Sequence, residues 1–325
     1  MSHALYHVLH ETVYEYAVPV PLSQHLLHLS PRELAFQRVR SHQLEMEPTA
    51  AECQRYLDWF GNPMVWLAVR TPHTVLRLLT ASVIEVQPRP GAWRQAGGPA
   101  WETVAAAIRQ FPGVEPLEVQ ECVLPSPHVP LNAEVRDWAL SSFPASRPML
   151  EAARELMGRI YRDFAVDPEA STVATPVAAT FQRKRGVCQD FAHLMMSALR
   201  SLGLAARYMS GYLLTTPPPG KPRLIGADAS HAWVSLWCPG IGWVDFDPTN
   251  NVQPDMEHLV LGWGRDFADV TPMRGVILGG GEHQVHVHVT VMPAELRSME
   301  SLLAEVRDNP THAAANALYS MQEPG

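Results

Sequence analysis

The segment Arg185-Gly186-Val187-Cys188-Gln189-Asp190-Phe191 sets a glycine, then a cysteine, directly ahead of a helical apolar pattern. Well downstream come a strand-like run from His231 to Trp237 and then Trp243-Val244-Asp245-Phe246-Asp247-Pro248-Thr249, joined across Gly240-Ile241-Gly242. Few folds accommodate that order. It predicts a helix beginning at Cys188, packed on a hairpin that sets His231 and Asp247 side by side on antiparallel strands. The chemistry is equally constrained. An unperturbed thiol has a pKa of about 8.5 and is mostly unreactive at neutral pH. A helix N-terminus and a neighbouring imidazolium both favour thiolate, and a carboxylate on the far ring nitrogen fixes the tautomer. Cys188, His231 and Asp247 are thus a candidate nucleophile, base and orienting group. Each alone has a plainer explanation: a buried cysteine is usually a small core residue, and the other two could form a strand-end hydrogen bond. Their joint order favours the chemical one.

The surrounding chain predicts mixed structure. From Ala4 to about Val86 the pattern is mostly β, with Tyr6, Val8, His10, Thr12, Tyr14 and Tyr16 alternating and turn signals at Ser30-Pro31-Arg32 and Phe60-Gly61-Asn62-Pro63. A stretch rich in Pro and Gly follows Val86 and predicts a linker. Helices are expected between about Asn132 and Val166, and from Val187 to Leu202 with Phe191, Leu194, Met195, Ala198 and Leu202 on one side and Gly203 as the stop. Strands resume at Ala206–Leu214, His231–Trp237 and Gly242–Asp247, with a Pro/Gly-rich loop over 215–227. His286 to Val291 alternates as a further strand, and Leu296, Met299, Leu303 and Val306 suggest a tail helix.

With 46% hydrophobic and 18% charged residues, the 325-residue chain has ample material for real cores. A formal net charge of −8 gives no reason to expect a nucleic-acid or anionic-membrane partner. Four cysteines without a C-x-x-C pair fit a reducing compartment better than a disulfide framework. Neither a signal-peptide pattern nor a membrane-length apolar run is evident, so a cytoplasmic location is expected.

The segments around Cys188, Ser230-His231-Ala232-Trp233-Val234 and Gly242 to Thr249 resemble the bacterial transglutaminase-like proteins of the papain-like superfamily. Thr12-Val13-Tyr14-Glu15-Tyr16, Pro31-Arg32 and Asp58-Trp59-Phe60-Gly61-Asn62 resemble the β domain that precedes the core in that family, and Gly264 to Pro272 its post-core segment. The resemblance implies an α+β fold, with a papain-like transglutaminase core behind an antiparallel β domain. It divides the chain into an N-terminal β domain over 1–90, a linker over 91–131, a catalytic core over 132–260 and a post-core segment over 261–325. It also implies catalytic roles for Cys188, His231 and Asp247, acting on a peptide, protein or small amide through a thioester, with no cofactor and no metal. The N–H of Cys188 is the expected oxyanion donor, and Gln182 is a weaker second candidate by position alone.

Other features carry simpler expectations. Asp245 is assigned to the opposite strand face from Asp247, as an exposed or structural residue. His193 is expected to pack within its helix, and Asp190 to answer the helix dipole. His286 and His288, with His283, could hold a metal but lack an acidic or cysteine partner. Asp255 and Glu257 lack the dense carboxylates of a calcium loop. Trp233, Trp237 and Trp243 are expected in the core, with one of them walling the site. Two other classes remain open: a binding or scaffold protein without turnover, and a metal-dependent hydrolase.

Overall fold

The computed structural model describes residues 3–89, 97–110, 116–215, 225–226 and 228–308. Six strands come first: β1 (Ala4–Val20), β2 (Leu22–Leu27), β3 (Gln37–Glu47), β4 (Glu52–Leu57), β5 (Pro63–Val69) and β6 (His73–Val86). Helices α1 (Trp101–Arg109), α2 (Leu117–Glu121), α3 (Ala133–Ala139) and α4 (Met149–Asp163) follow. Then come β7 (Ala165–Val166), α5 (Val177–Arg183), β8 (Arg185–Gly186), α6 (Cys188–Ser201) and the strands β9 (Ala206–Leu213), β10 (Ser230–Cys238), β11 (Gly242–Phe246) and β12 (His258–Gly264). Strands β13 (Met273–Leu278) and β14 (His283–Pro293) and helix α7 (Met299–Asp308) close the described chain. The fold is α+β, with antiparallel sheets throughout apart from the short parallel β7–β8 pair. No helix among the described residues is long and apolar enough to cross a membrane.

The N-terminal strands form two four-stranded sheets, ordered β14-β1-β6-β3 and β13-β2-β5-β4. Their inner faces meet through Tyr14, Tyr16, Leu76 and Leu78 from one sheet and Leu27, Leu67, Val69 and Met273 from the other. This sandwich is not made from residues 1–90 alone. Strand β14 runs beside β1 from Tyr6↔Pro293 to Tyr16↔His283, and β13 runs beside β2, so each sheet takes an edge strand from beyond the core. The paired edges bury backbone donors that residues 1–90 would otherwise leave open.

The segment 91–131 also departs from the linker expected of its Pro and Gly content. Within its described part, α1 and α2 bury Val104, Ala105, Ile108 and Val119 in the main core. The 3.6-residue spacing of those apolar side chains outweighs the flanking breakers. The expected loop over 215–227 lies largely outside the described residues.

The main core surrounds α6. Every residue from Gln189 to Arg200 is buried, because α3, α4 and α5 cover the side away from the sheet β11-β10-β9-β12. The one-sided pattern expected for this helix is therefore replaced by burial all round. Its end is fixed by Arg200, whose guanidinium donates to the carbonyls of Leu124, Ala206 and Arg265. Gly203 follows with φ +84°, in the left-handed conformation expected of a helix stop. The sandwich seats on the outer part of this sheet through Tyr6, Val8, Val289 and Val291 against Tyr212, Leu259 and Leu261.

Candidate active site

Cys188 is the first residue of α6 and is half-buried. What starts the helix is Asp190. Its carboxylate accepts the N–H of Val187 at 2.7 Å and the hydroxyl of Ser171, satisfying one of the donors that a helix start leaves over. The capping carboxylate demands glycine at 186, where a Cβ would stand 2.7 Å from Asp190 Oδ2 and 2.8 Å from its Cβ. Gly-Val-Cys is thus a packing requirement as well as a motif. The N–H of Cys188 lies in the first turn, where helices have no internal acceptor for it. Gln182 sits on α5 with its side chain exposed.

His231 lies on β10 and Asp247 just past β11, and the two strands pair from Val234↔Phe246 to Cys238↔Gly242 as an antiparallel hairpin. Gly240 at its turn has φ +77°, a backbone region costly for other residues. The ring of His231 donates through Nε2 to Asp247 Oδ2 at 2.7 Å. Since an ionised carboxylate only accepts, the proton sits on Nε2 and Nδ1 is left for Cys188, with which His231 is also hydrogen-bonded. Trp233 stacks beside the ring at 6.1 Å and forms a buried wall of the site.

Asp247 is fully buried and its position is overdetermined. Oδ1 accepts the N–H groups of Thr249 at 3.0 Å and Asn250 at 3.3 Å. Oδ2 accepts from His231, from the Asn250 amide at 2.7 Å and from His258 Nε2 at 3.0 Å. Burial would raise this carboxyl, but the hydrogen bonds from His231 and His258 hold it far below the usual carboxylate range. For His231, burial works to lower the pKa; the hydrogen bonds and charges of Asp247 and Cys188 outweigh it and lift the ring to about 10. A ring that keeps its proton beside a sulfur is suited to a thiolate–imidazolium pair. By contrast burial pushes the thiols of Cys122 and Cys238 up to about 11.

Cys188, His231 and Asp247 therefore come together, whereas two further residues, Asn250 and His258, were not foreseen. Asn250 follows Asp247 closely enough to be suspected from the Pro248-Thr249 turn. His258 comes from β12, on the other side of β9 and β10, and no local pattern announces it. Asp245 requires a correction. Residues two apart on a strand share a face, so Asp245 points the same way as Asp247, into the core. There it accepts from Trp233 Nε1 at 3.0 Å and pairs with the buried Arg89.

His193 is buried against His128 and Tyr208, and burial holds its pKa well below the usual histidine value. Among the described residues the histidines of β14 join no group of three metal-ligand atoms. Such a group does form from His231, Asp247 and His258, whose atoms lie within 4.8 Å of one another. Its geometry is that of hydrogen bonding, since both rings direct Nε2 at one carboxylate oxygen.

Comparison with known proteins follows the same outline. Residues 6–85 match the profile of the bacterial transglutaminase-like N-terminal region, and residues 139–248 match that of the transglutaminase-like superfamily. An uncharacterized protein of Mycobacterium tuberculosis is 40% identical over 298 residues, spanning 89% of this chain and 93% of its own length. A protein-glutamine gamma-glutamyltransferase of Pseudomonas aeruginosa is 30% identical over 134 residues, which are 37% of this chain and 20% of that protein. In three dimensions, the crystal structure of a candidate cysteine protease from Cytophaga hutchinsonii superimposes with a TM-score of 0.72 at 17% identity, covering 90% of this chain and 91% of the other. That likeness is one of fold.

Proposed function

Because this chain belongs to the transglutaminase-like superfamily, we propose that it is a cysteine-dependent acyl-transfer enzyme that opens an amide through a thioester. One observation carries the reading: His231 is held between Asp247 at 2.7 Å and the sulfur of Cys188 at a helix start. The sulfur attacks the amide carbonyl while the thiol proton rests on His231. The developing oxyanion faces the N–H of Cys188. His231 then delivers its proton to the leaving nitrogen, the C–N bond breaks and a thioester remains. Water attacking that thioester gives the acid, and a primary amine gives a new amide; in either case His231 takes the incoming proton and returns it to the sulfur.

The acyl donor in this reading is a peptide, protein or small amide, and the compartment is the reducing cytoplasm. The four unpaired cysteines support the latter. The test is incubation with a glutamine-containing peptide, with and without a primary amine, followed by mass analysis. Ammonia loss with amine gain indicates transamidation, and backbone cleavage indicates a protease. Turnover should vanish in Cys188→Ala and persist in EDTA. Product formation by Cys188→Ala that chelation abolishes would overturn the proposal in favour of a metal-dependent hydrolase.

A further inference from the structure

Asp247 does not serve His231 alone. His258 reaches the same oxygen from the far side of the sheet, 3.0 Å from Oδ2. Its route depends on glycine at 211, which pairs with His231 on one side and Val260 on the other. A Cβ there would stand 2.7 Å from the Trp233 ring and 1.9 Å from the Leu259 carbonyl. Without it, Trp233 lies across β9 and meets the His258 ring edge-on at 5.3 Å. His258 is itself held from behind, its carbonyl accepting from Arg89 Nη2 at 3.3 Å.

The two ring nitrogens of His258 differ sharply. Nε2 donates to Asp247, while Nδ1 is buried with no hydrogen-bond partner. A second proton on Nδ1 would be a buried N–H without an acceptor, which is costly. The ring is therefore confined to the neutral form that donates through Nε2. Burial lowers its pKa, and Asp247 opposes that only in part.

Resting on the acyl-transfer reading above, we propose that His258 is a positioning residue: it fixes the Asp247 carboxylate and divides its accepting power with His231. The division has a direction. A neutral donor draws charge density on Oδ2 away from His231, so removing it strengthens the hold of Asp247 on the His231 proton. It also takes away one of the three donors that aim Oδ2, which loosens the ring beside Cys188. The titratable and charged groups facing His258 are Asp247, His231 and Arg89, with Asp245 behind Arg89.

The experiment measures iodoacetamide alkylation of Cys188 against pH in the full chain. It compares the parent with His258→Phe, His258→Met, His258→Gln and His231→Ala, each checked for folding by circular dichroism. Loss of one charge-assisted hydrogen bond should slow alkylation at neutral pH about tenfold in His258→Phe, and move the alkaline limb of the profile to higher pH. His258→Met makes the same loss with a flexible side chain should the phenylalanine variant fail to fold. His258→Gln, which carries an N–H donor of similar reach, should return both rate and limb towards the parent. Parental profiles in folded His258→Phe or His258→Met, with His231→Ala strongly slowed, would overturn the positioning role and leave the proposed function standing. A His231→Ala chain that alkylates like the parent would instead undo the active-site reading itself.

Discussion

Asp247 accepts five hydrogen bonds through two oxygens, and it shows how much the site asks of a single side chain. Asp247→Asn keeps the size but turns one acceptor into a donor facing other donors. We expect it to lower stability by about 3 kcal/mol at neutral pH, the effect of unpairing a buried charge. The pH dependence follows from the depressed carboxyl. Ionised Asp247 stabilises the fold above the ordinary carboxylate range, and this contribution is lost as pH falls below that range. The gap in urea midpoint between parent and variant should therefore narrow on acidification; a gap independent of pH would contradict the assignment. Cys188, His231 and Asp247 were legible in the sequence because each lies in a short run whose neighbours are fixed by local geometry. His258 was not, since its link to Asp247 depends on a glycine in another strand. Asp245 was legible in principle, because the pleat alone puts it on the same face as Asp247.

Glycines set the accuracy with which elements meet around the site. Gly186→Ala would collide with the Asp190 carboxyl that starts α6, so both the cap and the aim of Cys188 should suffer. Gly211→Ala would drive a methyl into the Leu259 carbonyl and separate β9 from β12. Gly240→Ala meets open space, and its cost is only the left-handed backbone, about 1 kcal/mol. The expected order of thermal midpoints is Gly240→Ala highest, Gly186→Ala lower and Gly211→Ala lowest. Cys188 alkylation should be retained in the first and reduced in the second. A Gly186→Ala protein with parental alkylation would show that Asp190 does not aim the cysteine. Element types were largely predictable, since periods of two and 3.6 mark β1, β6, α4 and α6 plainly. What misled was context: breakers around α1 and α2 suggested a linker, and the periodicity of α6 gave no hint that three helices would bury its other side.

At the scale of the whole molecule, the sandwich and the sheet β11-β10-β9-β12 are joined by polar contacts. Gln37 exchanges two hydrogen bonds with the backbone of Val260, Arg32 stacks over Trp263 and Arg89 pairs with Asp245. The sandwich also buries histidines kept neutral, with His10 and His25 lowered to about 4 chiefly by burial. In the unfolded chain these rings take up protons near pH 6.5, whereas the folded protein resists until about 4. Their contribution is complete above that unfolded value and disappears as pH falls through the window between the two. Urea midpoints should drop over this interval, with a slope that His25→Leu reduces; an unchanged slope would mean that His25 is not held neutral. The return of β13 and β14 to the sandwich has a consequence for biosynthesis. While the ribosome is still making the core, β1 and β2 each wait with an open edge for strands that emerge after it. The sandwich cannot be finished before the sheet β11-β10-β9-β12 has been made, and a chain stopped short of β13 would display two adhesive strands. Nascent chains of this protein should therefore be clients of chaperones until β13 and β14 have been synthesised.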